Sequence, residues 1–365
     1  MVEWKKLGEV CKIVSPPKKL GKELYSDVGL YPIIDQGQKE IVGFTDDLTA
    51  LLPYGEYVLF GDHTRFVKYH EGKFAQGADG LKILKANELI LPRYLFYAFD
   101  NTEVPSRGYS RHWAIAKDIP IPIPSLSEQQ RIVSILDTFT SSISNLKQQI
   151  EERRKQYEYE RDLLLDLEGK EGVEMKKLGE VGEFIRGNGI QKNDFIEEGY
   201  GCIHYGQIHA RYGFSAKETI SKIEESLYKK CKKAKTGDVI LATTSEDAEG
   251  VAKPFVWLGE EDVAVSGDAF IYHHNQIGKF MGYQFLTRKF MQFKVKYATG
   301  AKVVRISGEN MAKFEIALPS LSEQSRIVSI LDTFEQSIAN LEEQLAMREK
   351  QYEYYREKLL RFEKA

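Results

Sequence analysis

Cysteine is scarce. The 365-residue chain has three, Cys11, Cys202 and Cys231, far apart and odd in number. That pattern supports neither a disulfide framework nor a zinc cluster, and a reducing, cytoplasmic home is expected. No apolar run approaches the ~20 residues that a membrane span needs. The opening MVEWKKLGEV lacks an apolar signal core. A surplus of positive charge is missing too: 51 Lys and Arg against 54 Asp and Glu give a net charge of −3. Such a chain does not coat nucleic acid through charge alone.

Catalytic signatures are also wanting. No G-x-x-x-x-G-K-[ST] run is present, so nothing suggests an ATP motor. Gly187-Asn188-Gly189 lacks the third glycine of a dinucleotide loop, and a poor helix start follows it. Ser15-Pro16-Pro17-Lys18 begins like an amino-methyltransferase loop but has lysine where an aromatic residue would stack on a flipped base. Asp62 with Glu71-Gly72-Lys73 is a loose nuclease pattern. The histidines do not sit with cysteine or carboxylates at a metal-site spacing. A non-catalytic protein is expected.

What the chain has is repetition. Ile121–Glu168 recurs as Ile316–Glu363, at an offset of 195 residues with 31 of 48 positions identical, and repeats are the first thing to settle in any fold. In the first copy Ile132, Leu136, Phe139, Ile143, Leu146, Ile150, Arg153, Tyr157, Glu160 and Leu164 step by four, then three. The second gives Ile327, Leu331, Phe334, Ile338, Leu341, Leu345, Arg348, Tyr352, Tyr355 and Leu359. A mean step of ~3.5 is a coiled-coil seam. The repeat therefore predicts two long helices that pack on each other, each a rod of roughly 60 Å. Ser127 and Ser322 are the expected N-caps, with Gln130 completing a capping box in the first copy only. The rods either hold the protein together or act as a ruler between two sites.

A second repeat, Glu3–Val10 (EWKKLGEV) and Glu174–Val181 (EMKKLGEV), opens each half. Between head and helix lie unlike middles. Short apolar runs closed by glycine or polar residues read as strands and turns; Leu91–Phe99 and Lys279–Tyr297 read as helical. Faint echoes pair Ile33–Gln38 with Cys202–Gln207, Tyr57–Asp62 with Asp238–Thr243, and Phe74–Asp79 with Ala264–Ala269. The expected fold is α+β: mixed domains at 1–124 and 169–319, and repeated helices at 125–168 and 320–365. Residues 175–319 carry 21 basic and 18 acidic side chains, whereas 125–168 carry 6 and 9 and 320–365 carry 7 and 9. If DNA is touched, the globular middles touch it. A scaffold presenting two modules to protein partners is the alternative.

Polar loops supply the candidate contacts. In the first middle they are Asp62, His63, Thr64, Arg65, Gln76, Arg111 and His112. In the second they are Arg186, Asn188, Gln191, Lys192, His204, Tyr205, Gln207, Thr243, Thr244, Ser245 and Lys302. Arg and Lys suit guanine edges, Asn and Gln adenine, and Ser or Thr either. Taken singly each is an ordinary polar turn; on a duplicated scaffold, base reading becomes the stronger reading.

P-S-L-S-E-Q-Q-R-I-V-S-I-L-D and P-S-L-S-E-Q-S-R-I-V-S-I-L-D resemble the specificity subunit of type I restriction–modification systems. K-Q-Y-E-Y-x-R at Lys155–Arg161 and Lys350–Arg356, and both K-K-L-G-E heads, fit the same family. The resemblance implies two target-recognition domains, each reading half of a split double-stranded DNA site, and antiparallel helices that set the gap. It further implies two docked methyltransferase subunits that use S-adenosylmethionine, and a restriction subunit, using ATP, that can join. The specificity chain itself would need no cofactor. I-x-G-[FY]-T, here Ile41–Thr45, together with H-Y-G-Q and A-T-T-S, is similar to runs in family readers.

Overall fold

The computed structural model describes residues 2–363 apart from Ala78, Tyr109, Ala248, Ala301 and Lys302. Two compact units emerge: Met1–Gln148 with Glu342–Ala365, and Gln149–Leu341. Each takes in one globular middle and a stretch of both long helices, because the helices lend their buried faces to the cores of the middles.

The helices are Leu126–Leu165 and Leu321–Leu360, 40 residues each. They start earlier than predicted. Ser125 Oγ accepts from Glu128 N at 3.3 Å, and Ser320 Oγ accepts from Glu323 N at the same distance. The caps are thus Ser125 and Ser320, so Ser-Leu-Ser-Glu supplies the same cap to both copies. Glu128 and Glu323 turn to Arg131 and Arg326, three residues on, in two-pronged ion pairs.

The seam holds. Every seam position is buried or half-buried except Tyr355, which is exposed; its ring still stacks on Phe139 with centroids 5.2 Å apart. In the first unit Phe139 meets Tyr355 and Lys147 meets Glu349 (2.9 Å), so numbers rise on one helix as they fall on the other. In the second, Tyr157 donates to Glu335 (3.0 Å), while Leu164 and Leu165 reach the cluster holding Ile327 and Leu331. Both pairings are antiparallel. The seam arginines lie over aromatic rings: Arg153 over Phe334 at 6.0 Å and Arg348 over Phe139 at 5.7 Å. Cation–π attraction offsets some of the cost of placing a charge in the seam.

The first middle is a six-stranded mixed sheet in the order Cys11–Val14, Leu81–Ala86, Leu51–Gly61, Val67–Gln76, Tyr31–Ile34, Gly43–Thr45. The second has a five-stranded sheet of Gly182–Arg186, Ala269–His274, Val239–Ala242, Lys253–Trp257 and Ser215–Ala216. Beside it lies a four-stranded sheet of Ser221–Ile223, Tyr200–Ile203, Val263–Val265 and Lys233–Ala234. The echoes survive with one slip. Ile33 pairs with Ala75 in parallel, as Cys202 does with Ala264. Ala75, not Phe74, is therefore the counterpart of Ala264, and Gly77 of Ser266. The two predicted helical runs are Pro92–Asp100 and a pair, Gly278–Gln284 and Arg288–Tyr297, broken where Thr287 caps the second.

Each middle is fastened to its long helix by the same parts. Arg93 Nε (2.7 Å) and Tyr97 Oη (2.5 Å), one turn apart, both donate to Asp137. Lys279 Nζ (2.8 Å) and Tyr283 Oη (3.1 Å) do the same to Asp332. Gln129 is fully buried; its Nε2 donates to Leu89 O and Pro124 O, and its Oε1 accepts from Leu91 N. Gln324, equally buried, donates to Pro319 O and Gln276 Oε1 and accepts from Ile277 N. The heads match too. Glu3–Lys6 pairs with Pro120–Ile123, and Glu174–Lys177 with Glu315–Leu318. Gly169 and Gly172 in the link between halves have φ of 76° and 74°, a left-handed geometry that suits glycine.

Candidate nucleic-acid interface

In the first middle the candidates gather where Leu51–Gly61 ends. Asp62 is only 2% exposed. Its Oδ1 accepts from Trp113 N (2.7 Å), and its carbonyl accepts from His112 N (2.8 Å) and faces His112 Nδ1 (2.9 Å). His112 is wholly buried and accepts from Arg107 N through Nε2 (3.1 Å). Asp62 and His112 are thus braces that tie the Arg107–Trp113 segment to the strand end, and their polar atoms face inward. Gln76 is buried as well. His63 and Thr64 are half-buried, while Arg65 and Arg111 are exposed. Arg65 has φ 66°, uncommon for a residue with a side chain, and its Nη1 donates to Val104 O (3.0 Å). The nuclease pattern does not assemble. Glu71 pairs opposite Glu56, six residues and roughly 20 Å of strand from Asp62.

Gln36 joins these loops. Its Oε1 accepts from His63 N (3.1 Å), its carbonyl from Thr64 Oγ1 (2.5 Å), and its Nε2 donates to Asp79 O (3.1 Å). Lys68, 4% exposed, donates Nζ to Asp35 O and Lys39 O on either side of it. Burial holds this ammonium below the usual lysine range. Gln36 stands inside the Ile33–Gln38 echo, which is the sequence signal that marks it.

The second middle arranges its loops at the matching strand ends. Thr243 N donates to Asp268 O (3.1 Å), as Asp62 N does to Gly80 O (2.6 Å). Thr243 is buried; Thr244 and Ser245 are half-buried and pair with Arg305 and Val304. H-Y-G-Q is a capping box. His204 Nδ1 accepts from Gly206 N (3.1 Å) while Gln207 Oε1 accepts from His204 N (3.1 Å), opening the helix Tyr205–Ala210. Both residues are buried, and Gln207 Nε2 donates to Ser221 Oγ (2.6 Å). Burial and the Lys192 charge hold His204 below the usual histidine range. Tyr205 is half-buried, its N donating to Ser266 Oγ (2.9 Å). Arg186, Asn188, Gln191 and Lys192 are exposed on one loop. Arg186 Nε donates to Gly267 O (2.9 Å). Lys302 lies outside the described residues.

Of the predicted residues, Arg65, Arg111, Arg186, Gln191 and Lys192 thus present exposed side chains. Asp62, Gln76, His112, His204, Gln207 and Thr243 are buried supports, because a buried polar group must be satisfied internally. Asn188 is exposed, and its amide is tied to a neighbouring run at both ends. Nδ2 donates to Lys230 O (3.1 Å) and Oδ1 accepts from Lys232 N (2.7 Å). The lysine-rich run Lys229–Lys235, held there, is legible in the sequence as Lys-Lys-Cys-Lys-Lys.

The family profile described as the type I restriction modification DNA specificity domain matches residues 1–153 and 170–347. The chain belongs to that family. The specificity subunit of the type I restriction enzymes EcoR124I and EcoR124II of Escherichia coli is 30% identical over 386 residues, covering 100% of this chain and 95% of its own. A putative type I specificity subunit of Haemophilus influenzae is 28% identical over 99% of this chain and 96% of its own. The crystal structure of the type I system S subunit from M. genitalium shares the fold, with a TM-score of 0.62 at 15% identity over 100% of this chain and 97% of its own. A chain from a study of complex assembly in a type I system gives 0.58 at 18% identity over 99% and 97%. As a specificity subunit, the chain is non-catalytic. No helix among the described residues is long and apolar enough to cross a membrane.

Proposed function

We propose that this specificity subunit reads a split site in double-stranded DNA, one half-site to each middle, on behalf of partner enzymes. The observation that carries this reading is one frame holding two unlike loop clusters. Asp137 and Asp332, and Gln129 and Gln324, fix the two readers alike, while the loops at their strand ends carry different exposed side chains on mostly different side-chain braces. Exposed Arg65 and Arg111 in one, and Arg186, Gln191 and Lys192 in the other, suit base edges of the major groove.

Two methyltransferase subunits dock on the repeated helices and flip the target adenine. Large apolar side chains left in solvent at repeated positions support a partner that binds twice: Leu126 with Leu321, and Tyr159 with Tyr354. S-adenosylmethionine and ATP belong to the methyltransferase and restriction partners, and the complex works in the cytoplasm. Co-expression with the methyltransferase subunit, followed by mapping of methylated adenine in host DNA, tests this. A split motif with a fixed gap is expected. A soluble, assembled complex that leaves no methylation would turn the reading toward a scaffold for protein partners.

A further inference from the structure

The second reader carries a feature that base reading does not use. From Lys229 to Lys235 the chain reads KKCKKAK. Cys231 and Ala234 are buried, and Lys230, Lys232 and Lys235 are exposed. The run is pinned, not loose. Lys233–Ala234 pairs with Val263–Val265, and Val265 N donates to Lys232 O at 3.0 Å. Asn188 bridges the run on its other side, holding Lys230 O and Lys232 N with one amide, while its own N donates to Val265 O at 3.0 Å. Asn188 sits in the loop that bears Arg186, Gln191 and Lys192, so this clamp sets the lysines directly beside the exposed reading loop.

Two other lysines of the run and the acid of the loop have partners. Lys229 pairs with Glu225 (2.8 Å). Lys233 lies over the Tyr228 ring at 4.8 Å and donates to Cys231 O (3.2 Å). Asp194 accepts from Gln191 N (2.7 Å). Lys230 and Lys232 have no ion pair among the described residues. Two exposed ammonium groups on a run whose backbone is pinned next to a reading loop match a phosphate backbone, which takes point charges without regard to sequence.

We propose that Lys230 and Lys232, on the run that Asn188 pins to the loop, grip the DNA backbone beside the half-site read by the second middle. This rests on the DNA-reading function above and adds to it a division of labour: the 186–192 loop selects, and the lysine run holds. The first reader has no such run.

The test uses the full chain assembled with its methyltransferase subunit and a duplex bearing the motif found by methylation mapping. Affinity is measured across salt concentrations for the wild type, K230A/K232A and K230R/K232R. Each lost phosphate contact takes ~0.9 from the slope of log affinity against log salt. The alanine variant should therefore lose ~2 from the slope, and shed about tenfold less affinity than the wild type between about 50 and 200 mM salt. The arginine variant keeps the wild-type slope, and both variants methylate an unchanged motif. An unchanged slope in K230A/K232A overturns the proposal, leaving a solvated charged face. A motif altered at the second half-site also overturns it, since the lysines would then read bases. A slope lost in the arginine variant too would make the lysines a packing feature and overturn it as well. If the wild-type complex neither methylates nor binds a defined duplex, the DNA-reading function fails instead.

Discussion

The two readers stand on one plan and differ in how they stiffen their loops. In the first, a buried acid and a buried histidine, Asp62 and His112, tie a distant segment to the strand end. In the second, a capping box of His204 and Gln207 and the amide of Asn188 do that work. Where reader meets helix the parts are the same in kind: a cation and a tyrosine one turn apart on one aspartate, and one glutamine stapling a helix start. On the proposed function, sameness sits where a common partner would be met, and difference where two unlike half-sites would be read.

The frame is the most costly place to cut. Gln129→Leu strands Leu91 N, Leu89 O and Pro124 O. Leaving buried backbone groups unpaired costs ~1–3 kcal/mol each, so a loss of roughly 3 kcal/mol in unfolding free energy is expected. Gln324→Leu should cost less, since one of its partners, Gln276 Oε1, belongs to a half-buried side chain that can turn to water. Denaturant midpoints rank the two, and equal losses would show that the staples are more alike than their partners.

A cut in the loops separates the readers. Arg65→Ala is expected to relax selectivity at the first half-site only, and Arg186→Ala at the second only, each by about 1–3 kcal/mol of discrimination. Methylation mapping of each variant reads this directly. A uniform fall over all sequences would make that arginine a phosphate contact.

The smallest effect distinguishes the second reader by pH. Lys294 is buried, and its Nζ donates to Glu249 O and Val251 O; burial brings its pKa down to about 8. Below that pH the fold carries a buried charge. As pH rises from about 8 toward the ordinary lysine value of ~10.4, the folded state sheds a proton that the unfolded chain keeps, so this group makes stability rise with pH. Lys294→Met should remove that rise, and melting midpoints of the two proteins near neutral pH and near pH 9 would diverge accordingly. Parallel pH curves would count against it.

The helices were legible because a 3.5-residue period leaves a mark that no middle erases. The start was misplaced by two residues because Ser-Leu-Ser-Glu-Gln offers two serines with a partner three on. The backbone chose the earlier one, which brings Gln129 N onto Ser125 O at 2.9 Å and its side chain into the core. Gln129 lies three residues before Ile132, so the seam itself pointed to it, but a glutamine on a helix reads as surface. The [RK]-x-x-x-Y pairs at 93–97 and 279–283 were equally open to view. In the loops, residue type promised contact while burial decided otherwise: Asp62, His112, His204 and Gln207 look outward in a sequence and face inward in the fold. For Asp62 and His112 the brace depends on a partner 50 residues away, which no local pattern carries, whereas His204 and Gln207 cap one helix start three residues apart.

The membership of the first unit has a consequence for synthesis. Its core closes with Tyr352, Leu359 and Leu360, and Arg356 lies 3.7 Å from Asp100, so it takes in residues translated long after the middle they complete. The middle translated first is therefore completed only after the second middle has been translated. A frameshift or a stop codon between Leu331 and Tyr352 would injure the first middle while sparing the core of the second, so a nascent chain holds its first half open until the second has been made.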